Sequence, residues 1–176
     1  LAEQDFRLGG SLLSETAMIG GVSAPDFAAT TIAELADMPN VTIMPRTTVF
    51  GWYDDMVFGA VERVQKHVET PSPDLPVECV WRIVAKRAIL ASGAEERPLV
   101  FGGNDRPGVM TANAARTYLN RYGVAVGSKV AVFTNGGSGY RTAADLSARG
   151  VEVAAIIDAR AASTDPAPYG IRVIHG

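Results

Sequence analysis

The sequence predicts an α/β chain in which a β-meander leads into incomplete, doubly wound βαβ units. Three observations carry that prediction. Strand-like segments follow one another from Val41 to Ile83, separated by turn residues. The apolar run Ala88-Ile89-Leu90-Ala91-Ser92-Gly93 ends in small residues, as a strand buried on both faces of a parallel sheet does. From Lys129 the pattern becomes strand, helix, strand. With 176 residues, 47% of them apolar, the chain is no disordered segment and suffices for one medium domain or two small ones.

Taken in order, Leu1-Ala2 reads as the end of a strand that delivers Glu3 at its carboxyl end. Gly9-Gly10 and a short helical run over 11–19 follow. A clearer helix is predicted over 26–38, with Asp26 in its first turn and Phe27, Ala28, Ile32 and Leu35 at helical spacing. Strands are expected at 41–44, 47–53 and 56–64, the last two joined at Asp54-Asp55 as a hairpin. Pro71, Pro73, Asp74 and Pro76 mark an exposed tip. Val77, Cys79, Trp81 and Ile83 alternate with polar residues, which predicts a half-buried antiparallel strand with Cys79 in the core. After the apolar run, a Gly/Pro-rich crossover leads to a helix over 111–122. Strand 130–133, helix 140–149 and strand 151–157 complete the βαβ, and 171–176 reads as one more strand. The expected division is a first partial dinucleotide-binding domain at 1–121 and a second at 122–176. Both termini read as cuts through a longer protein.

Charge and composition exclude several classes. Sixteen Lys plus Arg against nineteen Asp plus Glu give a net charge of −3, with no basic surface for nucleic acid. No apolar run is long enough for a membrane span. A single cysteine, Cys79, excludes an internal disulfide and any cysteine-built metal site, and fits a reducing, cytoplasmic setting. His67 and His175 lack local acid or cysteine partners, so neither a metal site nor a triad is expected. Asp54-Asp55 is explained by turn chemistry, and Trp52 and Tyr53 by packing.

The chemistry-bearing pattern is that of a dinucleotide. In the second βαβ the three glycine positions of the phosphate turn fall at Thr134, Gly136 and Gly139, with Asp158 about 20 residues on, where a ribose-binding acid belongs. Thr134 spoils the first position, so this half is expected to be a relic. The first half supplies an acid at Glu3 and a turn at Gly9-Gly10-Ser11 able to present backbone N–H groups to pyrophosphate. Ala91-Ser92-Gly93 then ends an apolar strand after a meander, as Ala-Thr-Gly does in two-dinucleotide flavoprotein reductases. The chain therefore resembles a fragment of an FAD/NAD(P) reductase-like fold, with its first glycine loop expected upstream of Leu1.

Longer motifs narrow the resemblance. The segments Glu95-Glu96-Arg97-Pro98-Leu99-Val100-Phe101 and Asn104-Asp105-Arg106-Pro107-Gly108-Val109-Met110 resemble flavoenzyme subunits of amine and opine oxidation. Pro45 to Gly51, Arg116 to Val124 and Val132 to Asn135 are similar to the alpha subunits of heterotetrameric sarcosine oxidases. That family implies oxidative demethylation of sarcosine to glycine, with hydrogen peroxide formed and the one-carbon unit passed to tetrahydrofolate. It also implies FAD in a beta subunit, covalent FMN at the alpha–beta interface and NAD in the central domain of alpha. By that likeness Glu3, Gln4 and Asp5 match the adenosine-ribose segment, and Gly9, Gly10 and Ser11 the pyrophosphate-facing turn. Val49 and Phe50 match the strand meeting adenine, and Ala91, Ser92 and Gly93 the strand end near the cofactor. No residue is expected to be catalytic or to bind metal. The expected partners are the other subunits, the isolated chain is expected to be inactive and prone to self-association, and the alternative reading is a non-binding scaffold.

Overall fold

The computed structural model describes residues 1–168 and 170–176. The chain folds as two compact units, one from Leu1–Leu12 with Ile19–Gly93, the other from Leu13–Met18 with Ala94–Gly176. The helix over 112–122 packs on the next helix within the second unit.

A 3-10 turn, Gly10–Ser14, replaces the helical run expected over 11–19, and Met18–Ile19 (β1) pairs with Val22–Ser23 (β2). Helix α1 spans Ala24–Ala36. It starts earlier than its apolar periodicity suggests because Ser23 is the cap: its Oγ accepts from the Asp26 N–H and donates to Asp26 Oδ2. Pro25, in the first turn, costs no hydrogen bond there. The strand expected over 41–44 is reduced to one parallel bridge, Ala2 to Met44.

The meander is present as β3 (Thr47–Tyr53), β4 (Val57–Glu62) and β5 (Cys79–Val84), antiparallel in that order. A bulge at Phe50 shifts the β3–β4 register, and the hairpin turns through Asp54–Met56 with Asp55 left-handed at φ 58°. Buried Gln65 organises the proline loop: its amide donates to Ser72 and Leu75 carbonyls and its Oε1 accepts from the Ser72 N–H. Cys79 is half-buried and Trp81 is 43% exposed, its indole N–H donating to Glu62. The expected core face of β5 is thus only partly covered: Phe58 and Ala60, opposite Ile83 and Trp81 on β4, are buried, whereas Trp81 itself stays exposed.

The second unit holds α2 (Ala112–Tyr122), β6 (Lys129–Thr134), α3 (Gly137–Ala148), β7 (Glu152–Asp158) and β8 (Val173–His175). Strands β6, β7 and β8 form a parallel sheet in that order. Its core is Leu119 of α2, Val132 of β6, Tyr140, Ala143 and Leu146 of α3, Val151 just before β7, and Val153 and Ile156 of β7. Gly123, left-handed at φ 69°, closes α2, with the Val124 N–H returning to the Tyr118 carbonyl.

One expected element does not form. Ala88 to Gly93 lies outside all three sheets, with Ile89 94% exposed. An apolar strand of this kind needs neighbours on both edges and cover on both faces, and no sheet among the described residues supplies them. The total exposed surface is 12362 Å². Two separate self-contained units of half the 18.6 kDa mass would together expose only roughly 9,900 Å².

Candidate functional site

In the first unit, residues 1–5 run beside 42–47. The Glu3 N–H donates to the Met44 carbonyl, the Met44 N–H to Leu1, the Thr47 N–H to the Glu3 carbonyl and the Arg46 N–H to Asp5. This ladder sets Glu3 beside the entry to β3, two residues short of Val49. The Glu3 carboxylate accepts from the Asp5 N–H at 2.9 Å, folding Gln4 outward in a tight turn, and Arg46 lies over the Phe6 ring. Gly9 (φ 126°) and Gly10 (φ 53°) follow, both in backbone conformations that side chains disfavour. A Cβ at Gly10 would meet nothing within 4 Å, so the loop is open, and Ser11 is exposed beside it.

Val49 and Phe50 are exposed on β3, 46% and 56% respectively. Ala91, Ser92 and Gly93 are exposed and belong to no strand, with Gly93 at φ 72°, rather than standing at a sheet's carboxyl edge. The structure thus joins Glu3 and Asp5 by backbone hydrogen bonds to the approach to β3, with Gln4 exposed between them, and leaves 91–93 without the expected strand.

The second unit contains the other candidate, the carboxyl ends of its parallel strands. The register aligns Thr134, Asp158 and His175 there. Thr134 Oγ1 contacts both the N–H and the carbonyl of Gly136, at 3.1 and 2.8 Å, and so fills the turn. A Cβ at Gly139 would lie 2.5 Å from the Thr134 Cβ, so Gly139 is required for helix-to-strand approach. The third glycine position keeps its packing role although the first is lost.

Asp158 is fully buried and accepts from the Tyr140 hydroxyl at 2.8 Å and from the Arg160 guanidinium at 2.9 and 2.7 Å. It is therefore neither a solvated strand-end acid nor a free ribose acceptor. Arg160 also donates to Asp165 and Ser163. The hydrogen bonds from Arg160 hold the Asp158 carboxyl well below the ordinary carboxylate range and lower Asp165 likewise. Burial, then the contact with Asp158, pushes the Tyr140 hydroxyl up. Arg160, Ser163 and Asp165 escaped the sequence reading. The only signal for them was Asp-x-Arg at the end of a strand.

A second buried network lies in the same unit. Arg116 on α2 pairs with Glu15 and with Asp145 on α3, and Asn120 donates to Asp145 and to the Ser14 carbonyl. Burial opposes the Arg116 charge, but the hydrogen bonds to Asp145 and Glu15 outweigh it and raise the guanidinium. Asp145 is lowered, its burial outweighed by Arg116 and Asn120. This network ties residues 14–16 to the two helices. Nothing in the spacing of these residues announces it.

No protein-family model matches the chain. It is 64% identical to the sarcosine oxidase subunit alpha of Rhizobium meliloti (strain 1021) over 93% of its length. It is 43% identical to the subunit of that name from Corynebacterium sp. (strain P-1) over its whole length. The chain is a segment of the sarcosine oxidase alpha-subunit family. It spans 16% and 19% of those two relatives, respectively. Among solved structures it resembles L-proline dehydrogenase from P. horikoshii, with a TM-score of 0.68 over 99% of this chain and 36% of that one, at 20% identity. That likeness establishes the mixed α/β, FAD/NAD reductase-like fold. The relatives' names are those of oxidoreductases, and no helix among the described residues is long and apolar enough to cross a membrane.

Proposed function

We propose that this segment is the NAD-holding part of a sarcosine oxidase alpha subunit and works only within the assembled enzyme. The observation that carries the reading is the first unit's arrangement: an acid set by a parallel bridge beside β3, followed by two left-handed glycines in an open loop. Its donor set fits a dinucleotide. Glu3 would accept from ribose hydroxyls, with Gln4 and Asp5 beside it. Backbone N–H groups at Gly9, Gly10 and Ser11 would face the pyrophosphate, and Val49 and Phe50 the adenine. Ala91, Ser92 and Gly93 would join this cradle only once their strand is paired with the rest of the subunit.

None of these residues is given a catalytic role. Bound NAD would supply hydride chemistry in principle. In this reading it is held rather than turned over, and the chain's own residues bind and orient it. By the family resemblance, oxidation of the sarcosine C–N bond takes place at FAD in a beta subunit. FMN at the alpha–beta interface passes electrons to oxygen, and tetrahydrofolate receives the one-carbon unit elsewhere in alpha. The assembly is a cytoplasmic heterotetramer. Residues 1–121 and 122–176 are parts of its first and second dinucleotide-binding domains. The surface left uncovered on the meander, Trp52 and Trp81 among it, suits a chain completed by other segments or subunits.

The test is NAD per alpha subunit in the purified complex. One equivalent, lowered by Glu3→Ala with assembly intact, is expected; a fully assembled complex with none would overturn the reading. The alternative, a non-binding scaffold, is favoured by one observation, the self-paired strand ends of the second unit. Under it Glu3→Ala changes nothing.

A further inference from the structure

Ligands of doubly wound sheets bind beyond the carboxyl ends of the strands, where a helix N-terminus offers N–H groups without intrahelical partners. In the second unit that place is taken. Residues 159–165 turn back over the ends of β6 and β7, beginning with the Ala159 N–H donating to the Thr134 carbonyl at 2.8 Å. Arg160 grips Asp158 with three guanidinium hydrogen bonds and one from its backbone N–H, and reaches Asp165 at 2.8 Å. Ser163 Oγ donates to Asp165 Oδ2 and accepts from the Asp165 N–H, fixing the carboxylate's direction. That carboxylate points at the first turn of α3: its Oδ1 lies 2.7 Å from where a Gly137 Cβ would stand. His175 Nδ1 meets the Arg160 carbonyl at 3.2 Å, holding the loop from the β8 side.

We propose that this loop is a built-in occupant of the second nucleotide crevice, with Asp165 in the position of a phosphate and Arg160 latching it to Asp158. The carboxylate meets the positive end of α3 as an anionic ligand would, at no cost in translational freedom. Thr134 completes the closure by filling the turn. The arrangement goes beyond the NAD reading of the first unit and stands independently of it. It explains how the βαβ keeps Gly137 and Gly139 without a ligand: Gly137 leaves room for the internal carboxylate and Gly139 for helix packing on Thr134.

Peptide-resolved hydrogen exchange on the intact alpha subunit, with and without 10 mM inorganic pyrophosphate or NAD, tests this. In the wild type neither probe is expected to slow exchange of the peptide carrying Gly136 to Gly139. In Asp165→Ala, pyrophosphate is expected to slow it about tenfold, as for an anion at roughly ten times its Kd. Protection of that peptide in the wild type by either probe would overturn the proposal, and so would an Asp165→Ala protein indifferent to pyrophosphate. Should Asp165→Ala fail to fold, the wild-type arm still decides, since an open crevice would respond. NAD protection confined to residues 1–11 bears on the first unit only, so failure of one proposal is distinguishable from failure of the other.

Discussion

Replacing Gly139 by Ala puts a methyl carbon 2.5 Å from both Cβ and Oγ1 of Thr134 and 2.9 Å from its Cγ2. Carbon atoms pack best at about 3.5–4.0 Å, so α3 and β6 must separate by about 1 Å or Thr134 must leave its rotamer. Neither is easy. Thr134 is bonded through Oγ1 to Gly136, and Tyr140 and Ala143, on the same helix, are buried against the sheet. Overpacking of this kind costs about 1–3 kcal/mol. Thr134→Gly removes all three clashing atoms, so the double substitution should recover most of what Gly139→Ala alone loses, apart from the ~1 kcal/mol for the Thr134 hydrogen bond itself. The assay is hydrogen exchange of the β6–β7 amides in the intact subunit, where about 2 kcal/mol appears as roughly 30-fold faster exchange. Unchanged exchange in Gly139→Ala, or a loss undiminished by Thr134→Gly, would refute the assignment of Thr134 and Gly139 to the first and third turn positions.

Arg116→Ala leaves Glu15 and Asp145 part-buried without their cation and should destabilise the second unit by about 3 kcal/mol. Replacing Arg116, Glu15 and Asp145 together by apolar residues of similar volume should cost far less. Thermal unfolding of the two variants checks both statements. Asp145, Asp158 and Asp165 all sit below the ordinary carboxylate range when folded. Their stabilisation is therefore complete above the unfolded value near about 4 and is lost as pH falls through the lower folded values. Denaturation midpoints should be flat between about pH 5 and 7 and drop below about 4; a midpoint that rises on acidification would contradict the pairing. The 176-residue chain alone should bind NAD weakly or not at all, because Ala91–Gly93 are unpaired. Micromolar affinity by calorimetric titration would show otherwise.

Legibility in the sequence followed how local each interaction is. Helix α1, the hairpin and the β6–α3–β7 unit announce themselves through period and punctuation, because their hydrogen bonds join residues near in sequence or strands with a helix between them. The strand expected at Ala88–Gly93 has the right composition, yet composition cannot supply a neighbour, and no strand among the described residues pairs with it. Cys79 and Trp81 alternate as a buried face should, yet Cys79 is only half-buried and Trp81 exposed, because they lie on the outer strand while the central β4 holds the buried positions.

The amino-acid order by itself determined the α/β class, the family and the damaged phosphate turn at Thr134, since each depends on residue identity at fixed spacing. Tertiary structure alone decided that Asp158 is buried in the grip of Arg160, that Asp165 lies at the first turn of α3, and that Arg116 joins residues 14–16 to two helices. Those pairings link charges whose meeting depends on strand register and loop path. Sequence spacing carries no record of either until the sheet has formed.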